Sequence, residues 1–200
     1  MAPQKIAQPT HFILDPNRDG IANALWYANS GALAISGGKF RFNADDGIVR
    51  ADLLYGIFEF SVNFPLAGVQ TPTNLVNDIA FGLKNASMGN FGKIDVFIDQ
   101  SEDDAAFRTY DEFGTLQETI FDWDTDWNAA QTIFRICWSD TQVTLQVLND
   151  GETAWVSLVS HTTRIPNRPL NPFVNVVGAE NLDVDFIAVR NAQYSSIMLI

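Results

Sequence analysis

The sequence predicts an all-β sandwich, and three observations point to it. Apolar and polar residues alternate with a period of two in stretches that recur from Ala32 to the end of the chain. Turn residues separate these stretches, and no long stretch has a helical stripe of apolar residues. The 15 Phe and 5 Trp supply bulky side chains for a core between sheets. A chain of 200 residues suits one domain, so we expect a single domain over 1–200, with 1–20 as an N-terminal arm or edge segment.

The first half of the chain contains four predicted strand regions. Residues 32–42 alternate around a Gly-Gly pair, which indicates a hairpin. Residues 56–64 place four apolar side chains on one face, and Pro65 ends this strand because proline cannot donate to the ladder. Further strands are predicted over 78–85 and 92–100.

The second half contains alternating stretches of the same kind. They predict strands over 132–140, 141–150, 152–160, 171–180 and 182–191. The run Asn149-Asp150-Gly151 is a strong signal for a tight turn between two of these strands. Three prolines interrupt 164–172, and we expect a short helical turn at most over 101–112.

The chain is acidic, and the acid is concentrated in one stretch. The net charge is −12, which disfavours binding to nucleic acid or to an anionic membrane, because both need a basic surface. Between Asp95 and Asp126 there are eleven carboxylates and one base, Arg108, so this window carries −10 of the net charge. Such a run is usually a solvated surface, and the alternative is a surface that holds cations.

Residue counts exclude several kinds of site. Cys137 is the only cysteine, which excludes an intrachain disulfide and a cysteine-based metal site. His11 and His161 are the only histidines, so a His-rich metal site is excluded too. Residues 1–20 lack the apolar run of a signal peptide, and no segment reaches the ~18 apolar residues of a transmembrane helix. We therefore expect no membrane insertion.

Three stretches, in this order, carry a family resemblance. LLYGIFEFSVNFP (53–65), FRICWSDTQVTLQVLNDGE (134–152) and LDVDFIAVRNAQY (182–194) resemble strands of the concanavalin A-like lectin and glucanase superfamily, especially its laminarinase-type glycoside hydrolases of family sixteen. Together they bracket about 140 residues. The resemblance implies a concanavalin A-like jelly-roll sandwich of two curved antiparallel sheets, with a groove on the concave side.

In that family the catalytic strand has the pattern E-x-D-x-(x)-E, in which one Glu is the nucleophile and the other is the general acid and base. The matching stretch here is GKIDVFID, residues 92–99. Only Asp95 matches, because Lys93 stands at the first Glu and Phe97 or Ile98 at the second. A Lys cannot form the glycosyl ester that a carboxylate forms. The resemblance therefore implies the groove without the catalytic pair.

Alternation along this strand assigns its two faces. The apolar Ile94, Val96 and Ile98 are predicted to face the core, whereas Lys93, Asp95, Phe97 and Asp99 are predicted to face the groove. Asp95 and Asp99 are then ~13 Å apart along the strand, too far for the carboxylate pair of a glycosidase. We expect Lys93, Asp95 and Asp99 to form the floor of a binding groove.

Aromatic residues beside polar partners supply candidate walls for that groove. Trp and Tyr rings combine an apolar face with a polar handle, which suits the C–H faces and hydroxyls of a sugar. Trp123, Trp127 and Tyr110, with Arg108 as a polar partner, are the candidate wall residues. The alternative for each ring is the core, which is favoured for Trp138 because it belongs to an alternating strand.

The run FDWDTDW at 121–127 is compatible with two structures. In a strand its carboxylates are ~6.6 Å apart along one face, too widely spaced to hold one ion. In a loop, Asp122, Asp124 and Asp126 could wrap Ca²⁺, although the Gly and Glu that an EF-hand requires are missing. The resemblance implies a further structural Ca²⁺ candidate, Asp185 in the closing strand, whose alternative is an ordinary outward-facing residue.

We expect a non-catalytic, lectin-like protein that recognises carbohydrate in the groove. A second hypothesis is a structural or assembly protein on the same fold, such as a virion surface, decoration or tail-associated protein. It is motivated by the acidic surface and by the apolar end SSIMLI, which needs a partner or the core to cover it. A third is an active β-glucan hydrolase with rearranged acids. The expected partner is thus a glycan or a protein, and an extracellular or virion-surface location is favoured over a cytoplasmic one.

Overall fold

The computed structural model describes most of the chain in strands and their connections. The described residues are 11–14, 26–30, 34–43, 46–49, 52–63, 79–85, 91–98, 104–122, 127, 132–176 and 181–190. Within these ranges the chain forms fifteen β-strands and no α-helix. The same ranges contain no helix that is long and apolar enough to cross a membrane.

The strands are numbered in chain order. The first five are β1 (His11–Leu14), β2 (Trp26–Ser30), β3 (Ala34–Ser36), β4 (Lys39–Asn43) and β5 (Asp46–Val49). The next five are β6 (Gly56–Asn63), β7 (Ile79–Lys84), β8 (Lys93–Ile98), β9 (Asp104–Tyr110) and β10 (Leu116–Asp122). The last five are β11 (Thr132–Trp138), β12 (Val143–Leu148), β13 (Val156–His161), β14 (Asn171–Val176) and β15 (Asn181–Arg190).

The strands form two antiparallel sheets. The first sheet has eight strands in the order β13-β12-β11-β6-β15-β4-β3, with β1 also paired to β15. The second sheet has seven strands in the order β10-β9-β8-β7-β14-β5-β2. Of the thirteen strand pairings in the described chain, six join consecutive strands, and the other seven join strands that are not consecutive in the chain, as the crossover connections of a jelly roll require. This architecture confirms the predicted all-β jelly-roll sandwich.

The core lies between the two sheets and is rich in phenylalanine. Phe58 and Phe60 on β6 are fully buried, on the face that the alternation predicts. From the second sheet, the ring of Phe81 reaches 5.8 Å from Phe60 and 5.3 Å from Phe134 of the first sheet, measured between centroids. Trp138 is 2% exposed, as predicted for a core residue. Burying each such side chain contributes ~1.5–3 kcal/mol, so this aromatic contact helps to hold the sheets together.

One prediction of local structure is wrong. Residues 101–112 were expected to contain a short helical turn at most, but 104–110 form strand β9. Its inward side chains Ala105, Phe107 and Thr109 are buried against the core. Pairing with β8 and β10 on both sides outweighs the weak helix preference of the two alanines.

Candidate functional site

The strand β8 presents two different faces. Its inward residues Ile94, Val96 and Ile98 are at most 1% exposed and belong to the core, as predicted. The alternate residues Lys93, Asp95 and Phe97 therefore point away from the first sheet. We call this side of the second sheet, formed by β7, β8, β9, β10 and β14, the outer face.

Strand register places several predicted site residues side by side on the outer face. Lys93 lies opposite Tyr110 of β9 and Lys84 of β7. Asp95 lies opposite Arg108 of β9 and Gly82 of β7. Four of the predicted binding residues, Lys93, Asp95, Arg108 and Tyr110, thus form two adjacent rows across the sheet.

A glycine makes room for these rows. Gly82 has φ +154°, and a Cβ at this position would lie 2.8 Å from the Cα of Asp95 and would overlap the carbonyl oxygen of Ile94. Its other register partner is Phe173 of β14. Only glycine leaves space for β7 to approach β8 closely at this point.

Asp95 is the centre of an ion-pair cluster. Its Oδ2 lies 2.7 Å from Nζ of Lys93 and 2.8 Å from Nη2 of Arg108, and its Oδ1 accepts a 3.2 Å hydrogen bond from Nε of Arg108. The Asp95 side chain is completely buried, whereas those of Lys93 and Arg108 are 12% and 14% exposed. The prediction that Asp95 lines the floor of the groove is therefore wrong in one respect: the two cations cover it, and it fixes their positions instead of contacting a ligand.

Aromatic rings lie beneath and beside the cations. The Arg108 guanidinium lies 3.7 Å from the centroid of the half-buried Phe97 ring. The Lys93 ammonium lies 5.3 Å from the Phe173 centroid and 5.7 Å from that of Tyr110, within the range of cation–π attraction. Tyr110 is only 8% exposed, so it is mostly a support for Lys93 and not the open wall that the sequence predicts.

The charges on this face are well defined at neutral pH. Burial opposes the charge of Arg108, but the hydrogen bond and the negative charge of Asp95 outweigh it, so the pKa of Arg108 is raised. Burial raises the pKa of Tyr110, an effect that the nearby Arg108 charge reduces. Arg108 is therefore a cation and Tyr110 a neutral hydroxyl.

An apolar border lies along one side of the outer face. Leu116 and Ile120 of β10 are register partners of Tyr110 and Ala106, so their side chains lie on this face, and they are 43% and 61% exposed. Phe113 in the turn before β10 is 83% exposed. Phe91 lies against the same turn and is 45% exposed.

Asp111 holds the turn that carries Phe113. Its Oδ1 accepts hydrogen bonds from the backbone N–H groups of Phe113 and Thr115 at 3.0 and 2.8 Å. Its Oδ2 lies 3.2 Å from Nη1 of Arg164. Burial alone would raise the pKa of Asp111, but these bonds lower it. The turn is thus fixed and does not depend on Phe113 being covered.

Trp127 does not lie where the sequence predicts. It is 5% exposed and belongs to the core, with its ring 5.4 Å from that of Phe134, and its Nε1 donates a 2.8 Å hydrogen bond to Asn149. Trp127 is therefore a core residue and not a wall of the site. The other predicted wall and floor residues, Trp123 and Asp99, lie outside the described residues.

The predicted Ca²⁺ ligands have other surroundings. Asp185 pairs with Lys39 at 3.3 Å and accepts a 3.4 Å hydrogen bond from Ser61, so an ammonium group already lies against its carboxylate. Asp122 is exposed on the edge strand β10, and its register partner is Asp104. Asp124 and Asp126 lie outside the described residues. In the described part of the chain, no three His, Cys, Asp or Glu side chains are grouped closely enough for a metal ion, and the surroundings of Asp185 do not fit one.

Sequence reasoning missed a second ion-pair cluster on the opposite side of the molecule. Glu59, on the outward side of β6, is 4% exposed and accepts two hydrogen bonds from Arg135, while Arg190 lies 3.2 Å from its Oε2. The Arg135 guanidinium lies 3.5 Å from the centroid of Trp155. The outward position of Glu59 in the alternating stretch 56–64 was the available signal.

Comparison with known proteins identifies the fold. No protein-family model matches the chain, and no curated protein sequence matches it. A prokaryotic β-1,3-1,4-glucanase (lichenase) from a mouse hindgut metagenome has a similar structure, with TM-score 0.68 and 13% identity over 90% of this chain and 99% of that one. The Bacillus licheniformis β-glucanase gives TM-score 0.65 and 12% identity, covering 90% and 98% of the two chains. The exoplasmic/lumenal domain of VIP36, in its Ca²⁺/Man2-bound form, gives TM-score 0.65 and 12% identity, covering 92% and 90%. The chain thus has the concanavalin A-like fold.

Proposed function

We propose that the chain is a non-catalytic carbohydrate-binding protein that holds its ligand on the outer face. One observation carries the proposal: Lys93 and Arg108 are held at fixed positions by the fully buried Asp95, beside the half-buried ring of Phe97. The similar structures support it, since they include β-glucanases and a domain in a Man2-bound form.

The chemistry of this face suits a sugar. Aromatic carbon next to a fixed guanidinium offers an apolar contact beside directed N–H donors, the combination found in small-molecule sites. Asp95 takes two of the five N–H donors of Arg108 and one of the three of Lys93, so donors remain for ligand oxygens. Because both cations are already ordered, little side-chain entropy is lost on binding.

The same geometry argues against glycoside hydrolysis. Hydrolysis needs two carboxyl groups that reach the scissile bond from either side. Asp95 is buried, both its oxygens contact cations, and Lys93 and Phe97 occupy the adjacent outward positions on β8. The exposed Glu118 lies on the edge strand β10, and its register partner is the cation Arg108 and not a second carboxylate.

A glycan-array screen of the purified chain tests the proposal, run once with Ca²⁺ and once with EDTA. We expect reproducible binding to one class of glycan in both buffers. Phe97→Ala should weaken binding about tenfold, because it removes the ring beside the donors. Trp155→Ala is the matched control, since it removes a ring under a guanidinium on the other sheet and should leave binding unchanged. A blank array in both buffers would overturn the proposal.

A second candidate function is that of an assembly protein. The apolar border favours it, because Phe113 and Ile120 are 83% and 61% exposed on neighbouring parts of one edge. Light scattering during size-exclusion chromatography tests it. A defined oligomer that Phe113→Ser and Ile120→Ser together dissociate would support it, and a monomer at all concentrations would remove the case for self-assembly. An extracellular or virion-surface location is compatible with both functions.

A further inference from the structure

We infer that the glycan recognised by the outer face is acidic, that is, a sugar carrying a carboxylate or a sulfate group. The inference rests on the proposed function and specifies its ligand. It depends on the balance of charge on the outer face and on the hydrogen-bond donors and acceptors that the face presents. It also depends on the contrast between the positive charge of this face and the net negative charge of the chain.

Positive charge exceeds negative charge at the centre of the outer face. Lys93 and Arg108 share one carboxylate, that of Asp95, which neutralises only one of them. Both cations also lie against aromatic rings, Lys93 against Phe173 and Arg108 against Phe97, and these rings carry no charge that could neutralise them. The surplus charge lies on half-buried side chains, where solvent screens it less than at an exposed position.

The two carboxylates that β10 places on this face compensate for the surplus only weakly. Glu118 is the register partner of Arg108 but is exposed, so water and salt screen its charge. Asp122 lies ~13 Å further along β10 than Glu118, beyond a Debye length at physiological salt. A ligand anion between Lys93 and Arg108 would therefore supply the missing counter-charge.

The hydrogen-bonding groups also favour an anion. A neutral sugar hydroxyl both donates and accepts, so it is best matched by mixed side chains. The buried Asp95 cannot accept from a ligand, and the groups that cover it, Lys93 and Arg108, are donors only. A carboxylate or sulfate group is an acceptor only, and a planar guanidinium next to an ammonium matches it well.

The cluster contrasts with the charge of the whole chain. The net charge is −12, and Arg108 is the only base between Asp95 and Asp126. That single base is one of the two cations that contact Asp95 on the outer face. The surrounding acid would repel long polyanions, so short acidic oligosaccharides are the appropriate probes.

Isothermal titration calorimetry at ~0.15 M salt, where the Debye length is ~8 Å, tests the inference with four probes. They are a short oligouronide, a sulfated oligosaccharide, a neutral β-glucan oligosaccharide and a short polyglutamate. We expect the oligouronide or the sulfated oligosaccharide to bind at least tenfold more tightly than the neutral oligosaccharide and the polyglutamate. Comparing the two acidic probes with each other shows which anionic group is preferred. Equal binding of the neutral oligosaccharide would overturn this inference and leave the proposed function intact. Binding of none, or equal binding of polyglutamate, would overturn both.

Two substitutions, each with a control variant, test whether the charge on the outer face determines binding of the acidic oligosaccharide. Lys93→Gln should weaken binding of the acidic oligosaccharide about tenfold, because it removes a charge-assisted hydrogen bond. Lys39→Gln is its control, since Lys39 is an ion-paired lysine of the other sheet. Glu118→Gln removes an exposed carboxylate and should tighten binding about two- to fivefold, whereas Glu152→Gln, in the turn after β12, should not. If Lys93→Gln does not fold, the Glu118 result decides, and unchanged or weaker binding would overturn the inference.

Discussion

At the scale of single residues, the same arrangement occurs on both sheets. Asp95 and Glu59 are each at most 4% exposed on an outward-facing strand position, and each is contacted by two cations. In each cluster an arginine lies over an aromatic ring, at 3.7 Å for Arg108 and 3.5 Å for Arg135. The desolvated carboxylate is stable only with its partners in place, so each cluster fixes the positions of its cations.

Replacing Asp95 tests this description. Asp95→Asn removes the shared counter-charge of two half-buried cations, and we expect the free energy of unfolding to fall by ~3–5 kcal/mol. Urea denaturation measures it. Asp185→Asn is the control, since Asp185 is 16% exposed and has one cation partner in the described chain, Lys39, whereas Asp95 is completely buried with two; it should cost clearly less, about 1 kcal/mol. Similar losses for the two variants would contradict the account.

The buried imidazole of His161 makes stability depend on pH. It is fully buried, with Nδ1 3.0 Å from Oγ1 of Thr109 and Nε2 3.0 Å from Oγ1 of Thr119. Burial lowers its pKa. In the unfolded chain its pKa is ~6.5, so below that pH the unfolded state binds a proton that the folded state does not. The contribution to stability is complete above pH ~6.5 and is lost as the pH falls toward the lowered folded-state pKa.

We therefore expect the free energy of unfolding of the wild-type chain to fall more steeply than that of His161→Gln as the pH drops below ~6.5. Gln retains a donor and an acceptor for the two threonines but does not titrate. Urea denaturation of both proteins at a series of pH values between about 5 and 8 measures the difference. Parallel profiles would show that His161 contributes no pH dependence.

At the scale of elements, alternation predicts most of the strands and the outward positions of Lys93 and Asp95 on β8. It predicts β6, β7, β8, β11 and β12, because one face of each lies in the core and the period of two is therefore visible in the sequence. It fails for β9, where two alanines and a run of acid obscure the period. Lys93, Asp95, Arg108 and Tyr110, which the sequence predicts to share one groove, do lie side by side on the outer face. Phe173 was missed because β14 joins this face only through long-range pairing with β7. Burial of Asp95 and Trp127 depends on tertiary packing, which local sequence does not show.

Gly82 provides a test at this scale. Gly82→Ala would force β7 away from β8, because the new Cβ overlaps the Ile94 carbonyl and the Asp95 Cα. We expect a loss of about 3 kcal/mol in the free energy of unfolding, from backbone strain and the clash together. Gly151→Ala is the control: φ is +74° and nothing lies within 4 Å of its Cβ, so strain alone should cost about 1 kcal/mol. Equal losses would show that close approach at Gly82 is unimportant.

At the scale of the whole molecule, the residues that hold the sheets together are separate from those of the proposed binding face. The phenylalanine-rich core joins the sheets, and the outer face of the second sheet carries cations in a chain of net charge −12. Both sheets have an ion-pair cluster, and the cluster on the second sheet lies beside the apolar border of Leu116, Ile120 and Phe113, which are 43%, 61% and 83% exposed. We therefore assign ligand binding to the second sheet.

An NMR titration of the isotope-labelled chain with a short oligouronide, and with the neutral β-glucan oligosaccharide as a second ligand, tests whether the second sheet binds the ligand. We expect saturable chemical-shift changes to concentrate on β7, β8 and β9, at Lys93, Phe97 and Arg108, and to spare Glu59 and Arg135 on the other sheet. Changes centred on the Glu59 cluster, or none with either ligand, would contradict this expectation.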